Sequence, residues 1–249
     1  CLIGKKAYSK LLKKMDKSRK GIILAGGIGS RLHPLTQVIS KQLLPVFDKP
    51  MIYYPLSTLM LAGVKEIAII STPQDLPKFK KLLRSGRQWG LKLTYLEQRK
   101  PNGIAEAFIL AEKFIKNSPS CLILGDNIYY GNNLSKILKE AGNDTNNSTI
   151  FTYQVKDPKR FGILNLDKEG RPVKIIEKPK APKSNLAITG LYFFPKDVSF
   201  RAKKLKPSKR GELEISDLNQ SYLKDKKLKV KILNRGFTWL DTGTFDSLL

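Results

Sequence analysis

Gly26, Gly27 and Gly29 sit within four positions of one another, directly after the apolar run Gly21–Leu24, and Arg31 follows two positions later. Glycines in such a loop accept positive φ and let a ligand approach the backbone, and successive free N–H groups form a nest for an anion. The spacing is not the G-x-G-x-x-G of dinucleotide folds, and no Gly-Lys-Ser/Thr follows, so it is not a Walker loop. Lys41, in "SKQLLP", adds a second cation. Two cations and several backbone donors suit a triphosphate. A tight turn with incidental bases is the plainer alternative.

The carboxylates come next. Asp126 in "LGDN" stands just past an apolar run. Ligands of open α/β sheets bind at the carboxyl ends of strands, and a carboxylate there can hold Mg²⁺ against phosphate oxygens. Read alone, Asp126 fits a turn-starting aspartate equally well. Asp241 in "WLDTG" offers a second carboxylate in a short glycine turn, and nothing in the spacing says that the two converge. In "EKP", Lys178 suits a second phosphate and Glu177 suits hydroxyl groups; an edge-strand charge pair is the stronger reading of that motif by itself. His33 is the only histidine. It has no serine-elbow context, and the zinc patterns are absent. The remaining toolkit of lysine, arginine, aspartate and backbone N–H suits phosphoryl or nucleotidyl transfer, where positioning and charge neutralisation dominate.

These residues need elements to place them. "GIILA", "EIAIIS", "LKLTYLEQ" and "CLILGD" read as strands, alternating with helical patterns at Pro50–Gly63, "LPKFKKLLRSG", "GIAEAFILAEKFI" and "NLSKILKEAG". This βαβα succession predicts a mostly parallel, three-layer α/β sheet. After Thr149 the rhythm changes to four strand-like runs, one helix, "ELEISDLNQSYLKD", and the strand "LKVKIL". The first half (about 19–149) reads as nucleotide-binding, and the second (about 150–249) as a mixed sheet added to it. No linker separates them.

Composition narrows the class. The net charge is +25 over 249 residues, but 36 of the 46 basic residues are lysine and they are spread along the chain. Nucleic-acid readers favour arginine's planar fork and interleaved aromatics, so the charge reads as a lysine-rich solvated surface. Two cysteines, Cys1 and Cys121, make no disulfide framework, which suits a reducing cytoplasm. No apolar stretch reaches the ~18 residues of a membrane span. Residues 1–18 carry a dense basic patch without a signal-peptide core. They are expected to be a disordered extension, with Met15 as the natural start.

From about Lys20 to Leu249 the motifs "KGIILAGGIGSRLHPLT", "SKQLLPVFDKPMIYYPLSTLMLAGVKEIAIIS", "LGDNIYYG", "EKPKAPKSNLAITGLYFF", "KPSKRGELEISDLN" and "WLDTGTFDSLL" resemble the sugar nucleotidylyltransferases, and the second and fifth resemble their glucose-1-phosphate thymidylyltransferase branch. The resemblance implies a three-layer αβα Rossmann-like nucleotidyltransferase fold with a mixed, mostly parallel central sheet. It also implies dTTP and glucose 1-phosphate as substrates, Mg²⁺ as cofactor, and dTDP-glucose and pyrophosphate as products. By the same resemblance Gly26, Gly27, Arg31 and Lys41 cradle the triphosphate, and Gln98 and Gly103 contact the thymine. Asp126 and Asp241 bind the metal, Gly162, Glu177 and Tyr192 line the sugar, and Lys178 and Arg210 hold its phosphate. Leu24, Asn127 and Trp239 complete the substrate-binding set; Arg31, Lys178 and Asp126 are the expected catalytic residues. Family members continue beyond "DTGT" into helices that support a homotetramer, so a smaller homo-oligomer is expected of a chain ending at Leu249. The competing expectations are a UTP-using relative and an inactive homologue acting as a binding subunit.

Overall fold

The computed structural model describes residues 18–27, 29 and 32–243. The expected disorder of the N-terminal extension up to residue 17, and every expectation placed on Arg31, lie outside these residues.

β1 (Lys20–Leu24) opens the fold. Two short 3-10 turns, Leu35–Gln37 and Lys41–Leu43, lead to a small hairpin of β2 (Pro45–Val46) and β3 (Lys49–Pro50). α1 (Tyr53–Leu61) starts later than the Pro50–Gly63 pattern suggests, because Pro50 is taken into β3. Pro55 then falls in the first turn, where its missing N–H has no partner to lose. β4 (Glu66–Ser71), α2 (Leu76–Leu83) and β5 (Lys92–Glu97) follow. The single helix expected over 103–115 is two pieces, α3 (Glu106–Leu110) and α4 (Glu112–Ile115), with Ala111 between them at ψ 5°. Next come β6 (Ser120–Leu124), β7 (Asn127–Gly131), α5 (Leu134–Asn143), β8 (Ser148–Gln154), β9 (Gly162–Leu166), β10 (Pro172–Glu177) and β11 (Leu186–Phe194). α6 (Val198–Lys203), α7 (Ile215–Lys224), β12 (Leu228–Leu233) and β13 (Phe237–Asp241) complete the described chain.

The main sheet runs β10-β9-β11-β6-β1-β4-β5, with β8 on β11 and β12 on β8. β1, β4, β5, β6, β8, β9 and β12 point one way; β10 and β11 oppose them. The sheet is therefore mixed and mostly parallel, as expected.

Strand alternation sends neighbouring side chains to opposite faces, and β1 shows the result. Ile23 joins a core with α1, α2 and α5 through Leu56, Leu59, Phe79 and Leu138. Ile22 joins a second core with α3, α6 and α7 through Phe108, Val198, Leu218 and Tyr222. Helices thus cover both faces, giving the three layers. The chain leaves β1 toward β4 by way of α1 on one face and returns to β6 by way of α3 and α4 on the other. Between the carboxyl ends of β1 and β6 the winding reverses, which is where such sheets place a ligand crevice. No described helix is long and apolar enough to cross a membrane.

Candidate active site

Leu24 and Leu124 are register partners at the ends of β1 and β6, so the glycine loop and Asp126 emerge side by side. Among the described loop glycines only Gly29 takes a positive φ, +64°. A side chain at Gly27 would meet nothing within 4 Å, so its backbone faces open space. Lys41 opens the second 3-10 turn and is 5% exposed. Its Nζ lies 2.5 Å from Asp126 Oδ2, and Asn127 Nδ2 donates to Asp126 Oδ1 at 2.9 Å. A buried ammonium needs such a partner, and the pair fixes both charges at the mouth of β6.

β7 and β13 form a separate antiparallel ribbon in which Asp241 faces Asn127. At that end of the ribbon Asn127 Oδ1 accepts from the buried Trp239 indole at 2.6 Å and from Gly190 N–H at 3.2 Å. The Asp126 carbonyl accepts from Thr242 Oγ1 at 2.8 Å and from its N–H at 3.2 Å. This stitching brings Asp241 to the same end of the ribbon as Asp126. Asp241 was expected in a glycine turn; it ends a strand instead, and Arg160 Nη2 stands 3.8 Å from it.

Two adjoining cavities share Asp126, Leu124 and Ile104. One, about 230 Å³, is bounded by Leu24, Gly26, Gly27, Gln98 and Gly103. The other, about 190 Å³, is bounded by Asn127, Gly162, Glu177, Lys178, Tyr192, Trp239 and Asp241. In the first, Gly103 takes φ +105°, and any Cβ there would stand 2.4 Å from Leu213 O. Its loop is strapped to that residue: Leu213 N–H donates to Asn102 O at 2.7 Å, and Ala105 N–H donates to Leu213 O at 3.2 Å.

In the second cavity Ser216 Oγ donates to Glu177 Oε2 at 2.5 Å, while Lys178 Nζ and Arg210 Nη2 approach Glu177 Oε1 at 3.9 and 3.8 Å. Burial works against the charge of Arg210, but hydrogen bonds to Glu214, with the charges of Glu212 and Glu177, outweigh it and raise its pKa. Burial, with the Glu177 charge, pushes the Tyr192 hydroxyl up, so it stays a neutral hydroxyl.

The structure gathers Leu24, Gly26, Gly27, Gln98 and Gly103 around one cavity and Asn127, Gly162, Glu177, Lys178, Tyr192, Trp239 and Asp241 around the other, with Asp126 in both. Lys41 reaches the site through Asp126, and Arg210 through Glu177. His33 lies exposed on the surface. Sequence reasoning missed Arg160, Ser216 and Glu106. Ser216 and its neighbour Glu214 lie inside "KPSKRGELEISDLN", where neither carries a chemical signal of its own. Arg160 precedes β9 in "DPKRFG" with no local signal, since Asp241 lies far along the chain.

No cluster of three or more His, Cys, Asp or Glu able to hold a metal occurs among the described residues. The pair Asp126 and Asp241 is nevertheless a hard oxygen donor set lining one cavity. It fits a divalent ion of the magnesium type, which keeps waters and shares phosphate oxygens instead of demanding an all-protein cage.

The sequence profile of the nucleotidyl transferase family matches residues 20–249. A glucose-1-phosphate thymidylyltransferase of Neisseria meningitidis is 56% identical over 229 residues, covering 92% of this chain and 80% of that protein. One from Mycolicibacterium smegmatis is 50% identical over 230 residues, with the same coverage of 92% and 80%. A solved Bacillus anthracis structure assigned to a glucose-1-phosphate thymidylyltransferase, in complex with sucrose, superimposes with a TM-score of 0.85 at 41% identity, covering 93% of this chain and 92% of that one. A UDP-glucose pyrophosphorylase with UDP-glucose, at 24% identity, covers 93% of this chain and 95% of its own, and its TM-score of 0.80 shows a shared fold. The chain belongs to the nucleotidyl transferase family, among the glucose-1-phosphate thymidylyltransferases.

Proposed function

We propose that the chain transfers the thymidylyl group of dTTP to α-D-glucose 1-phosphate. An oxygen of the sugar phosphate forms a bond to the α-phosphorus. The bond from that phosphorus to the β-phosphate bridging oxygen breaks, and pyrophosphate leaves with dTDP-glucose as product. The observation that carries this reading is the sharing of Asp126 by two adjoining cavities, so that one carboxylate stands where a nucleotide and a sugar phosphate meet.

Gln98 and Gly103 receive the base. The backbone at Gly26 and Gly27 faces the triphosphate, with Lys41 and Arg31 as its cations. Glu177 and Tyr192 face sugar hydroxyls, and Lys178 and Arg210 hold the sugar phosphate against the repulsion of the second anion. Asp126 and Asp241 would hold Mg²⁺, which when bound supplies charge neutralisation at the phosphate oxygens. The attacking oxygen is anionic near neutral pH, so the reaction needs no general base, and His33, exposed on the surface, is given no part in it.

The test is incubation of the purified chain with dTTP, glucose 1-phosphate and MgCl₂, following pyrophosphate release and dTDP-glucose by chromatography. Formation of dTDP-glucose that stops on chelation is expected. Product only with another sugar phosphate or only with UTP would reassign the substrate, and no turnover with any pair would favour a binding subunit.

A further inference from the structure

Gln98 is the first residue past β5, and its side chain is buried, with 6% of the residue exposed. Its Nε2 donates to Glu106 Oε2 at 2.7 Å and faces Gly103 O at 3.5 Å. The other carboxylate oxygen of Glu106 accepts from Asn102 Nδ2 at 2.8 Å. An ionised carboxylate only accepts hydrogen bonds, whereas an amide has a donating and an accepting end. The end of Gln98 that meets Glu106 must therefore be the NH₂. Turning the amide over would set its carbonyl oxygen against a carboxylate oxygen.

The consequence appears on the other side of Gln98. Its Oε1 lies 3.0 Å from where a side chain on Gly26 would begin, on the wall of the cavity that Gly26, Gln98 and Gly103 bound. Both donor directions of the amide are taken up by Glu106 and Gly103. Of its two ends, Gln98 has only the acceptor oxygen left to offer the cavity.

We infer that Glu106 is a positioning residue that sets base selection: by locking the Gln98 amide with its oxygen toward the cavity, it admits nucleotides whose base carries an imide N–H and rejects those that present a ring lone pair at that place. The inference rests on the proposed thymidylyl transfer in the same cleft. Thymine and uracil carry the N3–H donor; cytosine presents a bare N3. The lock reads the imide and not the 5-methyl group, so it separates dTTP from dCTP and leaves dTTP and dUTP alike. An acid at the start of α3 that merely helped the helix would affect all three nucleotides equally.

The experiment compares the whole chain with Glu106→Gln and with the double variant Gln98→Glu/Glu106→Gln. In Glu106→Gln the partner of Gln98 can donate as well as accept, so the amide is free to turn. In the double variant a carboxylate at position 98 takes the hydrogen bond from the amide at 106 and again offers the cavity only an acceptor. Initial rates of pyrophosphate release are measured with dTTP, dUTP and dCTP, and calorimetric titration of the same nucleotides without sugar phosphate gives affinity ratios that do not depend on turnover. The dTTP-to-dCTP preference is expected to fall about tenfold or more in Glu106→Gln and to return in the double variant. The dTTP-to-dUTP ratio and the KM for glucose 1-phosphate stay put throughout. An unchanged preference in Glu106→Gln, an equal loss for all three nucleotides, or no return in the double variant overturns the inference. If Glu106→Gln does not fold, the double variant decides alone, and loss of preference there is fatal. A wild-type chain that binds dTTP over dCTP yet makes no dTDP-glucose defeats the reaction and not the lock; one that binds both equally defeats the lock.

Discussion

Lys178 combines two properties that seldom meet in one residue. It holds φ at +40°, a left-handed value unusual for a side-chain-bearing residue, while its N–H donates to Phe161 O at 3.0 Å. Such a backbone costs roughly 1–3 kcal/mol and persists where the surroundings impose it. Glycine would relieve that cost and remove the ammonium. Lys178→Gly is therefore expected to lower kcat/KM by roughly 10²–10³, the typical loss for one donor to developing charge, with a urea midpoint no lower than wild type. Near-normal turnover would remove Lys178 from the mechanism. Asp126 calls for a different substitution, because Lys41 is buried against it. Truncating one partner of a buried pair typically costs ~3–5 kcal/mol, so Asp126→Ala would mix folding with chemistry. Asp126→Asn keeps the shape and an oxygen for Lys41 but not the opposing charge, so some stability is lost here too; a loss of roughly 10²–10³ in rate per folded molecule, measured well below the lowered melting temperature, is the outcome that supports the proposed role.

At the scale of elements, the ribbon of β7 and β13 matters most, since it carries Asp241 to Asp126. Asn127 is its rivet. Asn127→Ala would leave the Trp239 indole N–H and the Gly190 N–H buried without an acceptor, at about 1–3 kcal/mol each. A lowered denaturation midpoint together with altered tryptophan emission is expected, and an unmoved midpoint would deny the rivet its importance. Legibility in the sequence tracked burial. β1, β4 and β6 are apolar on both faces, so "GIIL", "EIAIIS" and "CLIL" announce strands by composition alone. β7 and β13 are half-buried, and Tyr130 is 78% exposed. Each makes sense only beside a partner more than a hundred positions away. "WLDTG" therefore read as a turn, and the approach of the two carboxylates had no local trace. Many of the residues that line the two cavities were already singled out by glycine spacing and resemblance. Arg160, Ser216 and Glu106 were not, because each is defined by what it touches and not by its neighbours in the chain.

The molecule as a whole is locked near its beginning by Arg19. Nε donates to Gly142 O at 3.0 Å, Nη1 to Ser120 O at 2.7 Å and Phe194 O at 2.9 Å, and Nη2 to Asp144 O at 2.7 Å. One guanidinium so joins β6, β11 and the carboxyl end of α5, where a cation also suits the helix dipole. Burial lowers its pKa, opposed by its interactions with Cys121 and Asp144, and burial pushes the Cys121 thiol up to about 12. Arg19→Met is expected to cost about 2–4 kcal/mol in urea unfolding while leaving turnover per folded molecule unchanged; equal stability would show that water replaces the clamp without loss. A second connection runs across the cleft. Leu213 has both backbone groups occupied by the loop around Gly103, and the next residue, Glu214, carries Arg210. Anyone wishing to evolve this scaffold toward new nucleotide sugars inherits that beam. A library that varies only the loop around Gly103 also perturbs the arginine at the opposite substrate, so base and sugar preference have to be diversified together.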